Sequence, residues 1–393
     1  MNNKTNRFLR TLEEYITVVL SFIIGLFYRS QVFHADIKRV AVIKLDHIGD
    51  VILSIPAITN LGENFPDARI TMVVNPVSEQ IARLIPHIDE VICYNARFFD
   101  RTGETKVFDV MKAFRFAKDM KSRNFDLIID LRGSFASLLF ALIAKSRYRL
   151  DRGTYLIRKK LSRSKLSIPT DTIKRRGDQW TLKYEAEISL DILKKAGITI
   201  KTKRSSLDLS RTSNDSIEYP DINIVIHPGG PMLLKRWSAD RYIELIRQLL
   251  QHYSVRIALI GGKDESAIVK SIVSASVLPL LGGTRVGDDR IVDLSEKLTL
   301  VQLAYLFKKA DLFIGNDSGP MHIASACGTK VIGLYGPTDP ERFGPYGDNC
   351  VTLRMEDKCK PCSQDKCKFK DYRCVDRISV EDVMNVVSEM LLI

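Results

Sequence analysis

Short apolar runs alternate with amphipathic segments in the first part of the chain. Residues 39–45 form an apolar run typical of a buried β-strand, a polar turn follows at 46–50, and helical spacing predicts a helix over about 51–64. Further elements are predicted in the same way: strands at 69–74, 91–94 and 125–131, and helices at 108–123 and 134–144. Strands that alternate with helices predict a parallel sheet that helices cover on both faces.

The alternation stops in the middle of the chain and then resumes. Residues 151–180 are basic and have little apolar periodicity, and residues 201–220 are polar, which predicts a linker. A second α/β set follows, with strands at 222–227, 255–260, 311–314 and 330–335, and helices at 239–252, 265–277 and 300–309.

These two sets predict an α/β protein with two domains that face each other across a cleft. A chain of 393 residues is long enough for two cores. We expect one domain at 38–210 and a second at 211–393, with residues 1–37 outside both. Ligands of such folds bind beyond the carboxyl ends of the strands, so the polar residues that follow the strands are the candidates for chemistry.

Positive charge is concentrated in one segment. The net charge is +12, and the stretch from Lys145 to Arg176 holds twelve Lys and Arg against two Asp. Such a segment favours partners that carry phosphate, namely nucleic acid, anionic lipid or a phosphorylated glycan. The alternative is a solvated loop.

The amino-terminal region contains an uncharged apolar run over residues 15–28. Fourteen residues are too few to span about 30 Å of hydrocarbon comfortably, and no good signal-peptide cleavage site follows. An interfacial helix or hairpin that holds the protein on a membrane surface fits the run better. The alternative is a helix packed on the body of the protein.

Five of the seven cysteines lie near the carboxyl terminus. Cys359 and Cys362 have the spacing of half a zinc site, and Cys367 and Cys374 could complete it. The spacing matches no standard zinc module. Two interpretations of these cysteines stay open: a structural metal site or disulfide, and free thiols.

The first candidate site is the turn after the strand at 39–45. Gly49 allows a tight turn, and Asp50 lies at or near the start of the next helix. An Asp in this place can be a simple helix cap. It can also be a general base that takes a proton from an acceptor hydroxyl, and His47 is a second candidate for that base.

The second candidate site is the loop 227–237, between a strand and a helix. Gly229 and Gly230 expose backbone N–H groups, and Lys235 and Arg236 add positive charge. This combination suits a diphosphate. No Gly-Lys-Ser/Thr follows, so the loop is not a Walker motif, and a plain solvated loop is the alternative.

The third candidate site is the strand-to-helix turn at 314–322, with 336–340 closing the next strand. Ser318 and Gly319 offer a hydroxyl and amides to phosphate oxygens, Asp317 can accept bonds from sugar hydroxyls, and His322 can donate. Three glycine-containing strand ends favour a nucleotide-diphosphate pocket. No Asp-x-Asp pair lies in a loop suited to a metal–diphosphate clamp, so we expect neither a metal nor another cofactor.

Three stretches of the sequence resemble the motifs of glycosyltransferase family 9, the ADP-heptose:lipopolysaccharide heptosyltransferases. They are residues 43–51, residues 229–237, and residues 317–322 with 336–340. The resemblance implies a GT-B fold, with an acceptor-side Rossmann-like domain at 38–210 and a donor-binding one at 211–393. It implies inverting transfer of heptose or a related sugar from ADP-heptose or a similar nucleotide sugar to a lipopolysaccharide core or related glycolipid. The residues it implies are Asp50 as the base and, for the donor, Gly229, Gly230, Lys235, Asp317, Ser318, Gly319 and His322.

One departure from the family pattern concerns the second stretch. Many members have a small hydroxyl residue where Gly230 and Pro231 stand here. The apolar run, the basic segment and a cytoplasmic sugar-nucleotide donor together predict a protein held peripherally on the cytoplasmic side of the inner membrane, with no nucleic-acid partner. Three alternatives stay open: a different nucleotide sugar in the same family, a sugar-nucleotide epimerase of the same fold, and a non-catalytic polysaccharide-assembly protein.

Overall fold

A computed structural model describes most of the chain. The described residues are 36–95, 110–133, 137, 140, 143–152, 173–176, 179–182, 184–212, 221–276, 289–355, 367 and 373–391. The chain divides into two compact units, Met1–Arg204 and Ser205–Ile393. The predicted apolar run at 15–28 lies outside the described residues, as do Cys359, Cys362 and most of the basic segment. The predicted domain boundaries stay a prediction.

The first unit is built on a five-stranded parallel sheet. The strand order is β3-β2-β1-β4-β5, and each neighbouring pair is parallel. Five of the six residues of β1 are buried, as a strand covered on both faces requires. The strands are β1 Arg39–Lys44, β2 Arg69–Val74, β3 Glu90–Cys93, β4 Leu127–Asp130 and β5 Tyr148–Asp151, and a separate antiparallel pair is β6 Ile173–Arg176 and β7 Gln179–Leu182.

Its helices differ from the prediction in several places: those at Glu79–Ala82 and Glu185–Lys195 were not predicted, and the one predicted at 134–144 lies mostly outside the described residues. The helix expected over 51–64 is two helices, which Leu53 and Ser54 separate. Pro56 has no N–H, and its ring would clash with the carbonyl of Ile52, so one helix cannot continue through it. The helices are α1 Ile48–Ile52, α2 Ile55–Asn64, α3 Glu79–Ala82, α4 Val110–Ser122 and α5 Glu185–Lys195.

The second unit repeats the plan with a six-stranded parallel sheet of order β10-β9-β8-β11-β12-β13. Its strands are β8 Ile224–His227, β9 Ile257–Leu259, β10 Ile291–Asp293, β11 Leu312–Asn316, β12 Lys330–Leu334 and β13 Cys350–Leu353. Its helices are α6 Ala239–His252, α7 Ser266–Ser276, α8 Leu300–Lys309, α9 Gly319–Ala326, α10 Pro340–Phe343 and α11 Val380–Leu391. The predicted α/β architecture with parallel sheets is confirmed.

A buried aromatic pair joins the carboxyl-terminal helix region to the second sheet. Trp237 and Tyr242 are fully buried and pack edge to face, with ring centroids 5.0 Å apart. The Trp237 indole N–H donates to the carbonyl of Ile378, 3.0 Å away. The segment that leads into α11 is thereby fixed to the start of α6.

No helix in the described part of the chain has both the length and the apolar character needed to cross a membrane.

One buried side chain holds the end of the first unit against α2. Asn60 is fully buried, and its Nδ2 donates to the carbonyls of Pro56 and Thr202, each 2.7 Å away. Its Oδ1 accepts from the backbone N–H groups of Lys201 at 2.6 Å and Thr202 at 3.2 Å. Three of these four bonds fasten residues 201–202 to the helix, and the fourth stays within it.

We expect Asn60→Ala to lower the free energy of unfolding by about 2 kcal/mol, because buried backbone groups lose their partners. The matched control is Asn64→Ala, since Asn64 donates to Asn60 and Thr199 from a less buried position. The control should cost less than about 1 kcal/mol. Urea denaturation of both variants measures the difference, and equal midpoints would contradict the assignment.

Candidate functional site

The two sequence stretches predicted to bind the donor meet at one edge of the second sheet. Strand β8 ends at His227 and its parallel neighbour β11 ends at Asn316, and Gly315 lies opposite His227 in the register. The loops that leave these strands, 228–237 and 317–318, therefore start side by side at the carboxyl edge. This is the edge where parallel α/β sheets bind ligands.

Asn316 ties the two loops together. Its side chain is fully buried, and its Nδ2 donates to the carbonyls of Pro228 at 3.0 Å and Gly229 at 2.8 Å. Its Oδ1 accepts from the Trp237 N–H at 3.0 Å and the Tyr242 hydroxyl at 3.1 Å. Asn316 is not among the residues predicted from the sequence. The feature that could have indicated it is the presence of an Asn as the last residue of a buried strand, at the carboxyl edge of the sheet.

Lys235 and Asp317 form a buried ion pair between the same loops. The Lys235 Nζ donates to Asp317 Oδ2 at 2.6 Å, and both side chains are about one-tenth exposed. An ammonium group has three donors, so Lys235 can hold Asp317 and a phosphate oxygen at once. The pair supplies a fixed cation at the carboxyl edge.

A hydrogen-bonded chain runs from Ser318 through His227 to Glu265. The Ser318 hydroxyl donates to the carbonyl of Asn316 and lies 3.0 Å from His227 Nδ1. The His227 Nε2 lies 3.1 Å from Glu265 Oε2. Ser318, which we predicted to contact phosphate, thus has its hydroxyl proton directed at a backbone carbonyl of its own turn.

Glu265 is an acceptor that was not predicted from the sequence. It accepts from the backbone N–H groups of Gly230 at 2.6 Å and Gly262 at 2.9 Å. Burial alone would raise the pKa of Glu265, but the bond and attraction from His227 and the two amide bonds together lower it to about 2. A Cβ on Gly229 would meet the Glu265 carboxylate, so a larger residue there would require this carboxylate to move.

The Gly230 amide, a predicted donor to the diphosphate, is therefore engaged with Glu265 in this structure. Its role toward a phosphate stays a prediction. The sequence feature that could have indicated Glu265 is the pair Gly261 and Gly262 just after β9. This pair marks another strand end that contains glycine, like the predicted sites.

His322 is a buried side chain with a polar atom left unpaired by the residues that the structure describes. It lies in α9 and is 5% exposed, and its Nδ1 has no hydrogen-bond partner among the described residues. Burial lowers the pKa of His322 to about 4, with Asp317 opposing the shift and Lys235 adding to it. The ring is neutral at physiological pH. Buried polar atoms without partners are rare in proteins, and Thr338 Oγ1 is another such atom within the described ranges.

In the first unit, the structure changes the reading of Asp50. The N-cap of α1 is His47, and Asp50 is the third residue of the helix, in its first turn. Asp50 is half-buried. A carboxylate in the first turn still gains from the helix dipole, but Asp50 does not occupy the capping position.

Cations surround the turn that carries Asp50. Lys44 is 2% exposed, and its Nζ lies 3.1 Å from Asp46 Oδ2 and 3.4 Å from the carbonyl of Leu131. Arg132 forms an ion pair with Asp46 and donates to the carbonyl of Leu45 at 3.1 Å. Neither cation was predicted from the sequence, although a Lys at the end of an apolar strand could have indicated Lys44.

Burial lowers the pKa of Lys44 to about 8. Glu185 and Asp50 oppose this shift, while Arg152 and Arg132 add to it. Asp50 is therefore within electrostatic range of a buried lysine whose charge responds to mildly alkaline pH.

The two carboxyl edges thus hold different chemistry. That of the first unit carries Asp50 with Lys44 and Arg132. That of the second unit carries all the predicted donor-binding residues: Gly229, Gly230, Lys235, Asp317, Ser318, Gly319 and His322. Among the described residues, no group of three His, Cys, Asp or Glu side chains is arranged to hold a metal ion.

Curated relatives of similar sequence are heptosyltransferases. The chain is 26% identical over 358 residues to lipopolysaccharide heptosyltransferase 3 of Escherichia coli K12, covering 87% of this chain and 95% of that protein. It is 24% identical over 366 residues to the lipopolysaccharide core heptosyltransferase OpsX of Haemophilus influenzae, covering 90% and 97%.

Solved structures of the same fold cover nearly the whole chain. A family 9 glycosyltransferase from Veillonella parvula matches with a TM-score of 0.70 at 21% identity, covering 92% of this chain and 99% of that one. The ADP-heptose heptosyltransferase II of E. coli matches with a TM-score of 0.66 at 19% identity, covering 90% and 98%. The expected GT-B fold is confirmed.

The model of glycosyltransferase family 9 (heptosyltransferase) matches residues 113–373, more than half of the chain. The match includes both donor loops and the predicted residues Lys235, Asp317 and His322. By this match, and with relatives and solved structures in agreement, the chain belongs to glycosyltransferase family 9, the heptosyltransferase family.

Proposed function

We propose that this family 9 glycosyltransferase transfers heptose, or a related sugar, from ADP-heptose or a similar nucleotide sugar to a lipopolysaccharide core or related glycolipid, with inversion at the anomeric carbon. The observation that carries the proposal is the buried Lys235–Asp317 pair beside the unpartnered Nδ1 of His322. A fixed cation and a neutral, unsatisfied imidazole suit a charged diphosphate and a polar sugar. Solved heptosyltransferases of this fold have been seen with ADP and with ADP-2-deoxy-2-fluoro heptose.

In the proposed reaction Asp50 is the general base. Its carboxylate takes the proton from the acceptor hydroxyl while the oxygen attacks the anomeric carbon. The nucleoside diphosphate leaves from the opposite face, so the configuration inverts. General-base assistance of this kind contributes about 10²–10⁴-fold to the rate.

The leaving group is a nucleoside diphosphate that gains negative charge as its bond to the sugar breaks. Lys235 offers a cation for that charge, and the first N–H groups of α9 near Gly319 point the positive end of the helix dipole to the same edge. Because these groups are fixed by the fold, they need no reorganisation during the reaction. Removing one such donor costs about 10²–10³-fold in enzymes that use them.

We also propose that the protein lies peripherally on the cytoplasmic face of the inner membrane. A nucleotide-sugar donor is a cytoplasmic metabolite, which sets the side, and a glycolipid acceptor sets the surface. The uncharged run at 15–28 and the basic segment 145–176 are the sequence features that support this. No nucleic-acid partner is expected.

Incubation with a panel of nucleotide sugars and lipopolysaccharide-core acceptors tests the proposal. We expect nucleoside diphosphate release that depends on the acceptor, with NMR of the product showing the inverted anomer. Release without any acceptor-linked product, or conversion of the donor sugar to an epimer, would contradict it.

We predict that Asp50→Asn reduces turnover at least a hundredfold, since the amide cannot accept the proton. Donor affinity and thermal stability should stay close to those of the parent. Asp67→Asn, at an exposed position of the same unit, is the control and should keep full activity. A variant that loses stability while its folded fraction keeps normal specific activity would show that Asp50 is structural.

We predict that Lys235→Ala weakens binding of the nucleoside diphosphate more than tenfold and leaves acceptor binding nearly unchanged, since the diphosphate loses its cation. Calorimetry with ADP measures the change. Lys270→Ala, which removes an exposed lysine of the same unit, is the control. Since Asp317 loses its partner in Lys235→Ala, the thermal stability of this variant is measured beside its ADP affinity to separate lost stability from lost binding. Equal ADP affinity in parent and variant would refute the role.

We predict that turnover does not depend on a divalent metal, because the sequence offers backbone amides and Lys235 to the diphosphate and no acidic metal clamp. Activity should persist in excess EDTA. Complete loss in EDTA that magnesium or manganese restores would prove the prediction wrong.

A further inference from the structure

Helix α4 has two faces of opposite character. Ala113, Ala117 and Met120 are buried in the core of the first unit, and Phe116 packs against them. On the other side Met111 is 62% exposed and Phe114 is 55% exposed. Large apolar side chains exposed to this extent, one turn apart on one helix, do not belong to the core.

Five exposed residues of α4 form a stripe, which we call the α4 stripe: Met111, Phe114, Arg115, Lys118 and Lys121. The helix also exposes Lys112, Asp119 and Ser122. At about 100° per residue the spacing of the stripe residues keeps all five within an arc of roughly 120°. The acid of the helix, Asp119, accepts from Arg123 Nε at 3.2 Å and so has a cation of its own. The stripe therefore combines an apolar pair with three positive charges.

The apolar end of the stripe lies toward the carboxyl edge of the first sheet. Arg123, just after α4, donates to Glu90 at the start of β3, and its carbonyl accepts from Arg39 at the start of β1. The last turn is thus at the amino edge. Nearer the start of the helix, Phe116 packs on Tyr94, which follows the end of β3, with ring centroids 4.5 Å apart. Asp50 follows the end of β1 at this same carboxyl edge.

We propose that the α4 stripe is a docking surface for an anionic lipid bilayer. Met111 and Phe114 enter the headgroup region, and Arg115, Lys118 and Lys121 meet lipid phosphates. The proposal deepens the proposed function and rests on it in one respect: a glycolipid acceptor reaches the carboxyl edge of this unit from a membrane surface. It assigns that contact to a helix distinct from the amino-terminal run.

The composition of the stripe favours lipid over a protein partner. Lysine is depleted in protein–protein interfaces, and a stable interface buries about 800 Å² on each side. Two apolar side chains among three cations do not offer such an area. An interfacial helix needs only an apolar strip beside cations, and each cation near an anionic surface strengthens binding about fivefold.

Sedimentation of the full-length protein with vesicles tests the stripe. We expect binding at low salt to vesicles that contain phosphatidylglycerol, and little binding to pure phosphatidylcholine. Arg115→Gln/Lys118→Gln/Lys121→Gln should weaken binding at least about tenfold, and Met111→Ser/Phe114→Ser by about tenfold. The matched control Lys194→Gln/Lys195→Gln/Lys203→Gln removes equal charge from exposed positions of the same unit and should change binding less than about threefold.

A second measurement reports contact between the stripe and lipid directly, even if other segments of the protein also bind the membrane. Phe114→Trp should show blue-shifted emission with the anionic vesicles and quenching by brominated lipids, above the background of Trp180 and Trp237. Val77→Trp, at a position that is 50% exposed in the same unit, is the control and should show neither. Equal quenching at both positions, or none at position 114, overturns the proposal. Self-association of the parent that the stripe variants abolish also overturns it, in favour of a second copy as the partner.

Turnover with a lipid-free acceptor separates this proposal from the proposed function. The stripe variants should release nucleoside diphosphate at the parental rate in that assay. If the protein contacts vesicles at position 114 but turns over no nucleotide sugar, the proposed function alone is contradicted. A parent that is active but shows no lipid contact at position 114 would contradict the docking surface alone.

Discussion

The four hydrogen bonds of Asn316 are the constraint on which the candidate donor site depends. The amide nitrogen of Asn316 donates to the carbonyls of Pro228 and Gly229. Its oxygen accepts from the Trp237 backbone N–H and the Tyr242 hydroxyl. Because every bonding position is used, the loop after β8 has one arrangement relative to the end of β11. Lys235 meets Asp317 only because both loops are fixed in this way.

Both units place a buried lysine–aspartate pair at a carboxyl edge: Lys44 with Asp46 in the first and Lys235 with Asp317 in the second. A buried ion pair is a poor source of stability, since desolvation offsets most of the attraction. Under the proposed function, each pair offers a fixed cation to a charged ligand. Arg132 reinforces the first pair, whereas His322, kept neutral by burial, lies near the second.

The sequence was sufficient for the parts of the fold that depend on local periodicity. The strand at 69–74 and the helices at 239–252 and 300–309 were predicted with the bounds they have. Residues 51–64 were wrongly joined because apolar spacing continues across Pro56. Glu265 and Asn316 were missed for a different reason: their partners Gly230 and Pro228 lie 35 and 88 residues away. No local pattern shows which strand ends will be neighbours.

The chemistry proposed for the second unit depends on charge that is present before the donor arrives. A lysine free in solution would have to lose water and rotamer freedom as it bound a diphosphate. Lys235 is already desolvated and held by Asp317 at 2.6 Å, so that cost is met during folding. In the proposed function, binding of the donor replaces water around its diphosphate with the fixed Lys235 cation. The attraction between Lys235 and the diphosphate then strengthens as the leaving group gains negative charge. Glu265 acts on the same loop in the opposite sense, because its carboxylate engages the Gly230 amide that a phosphate would otherwise accept from. The loop therefore presents the Lys235 side chain at the carboxyl edge, and the strand order brings the two halves of its ion pair together.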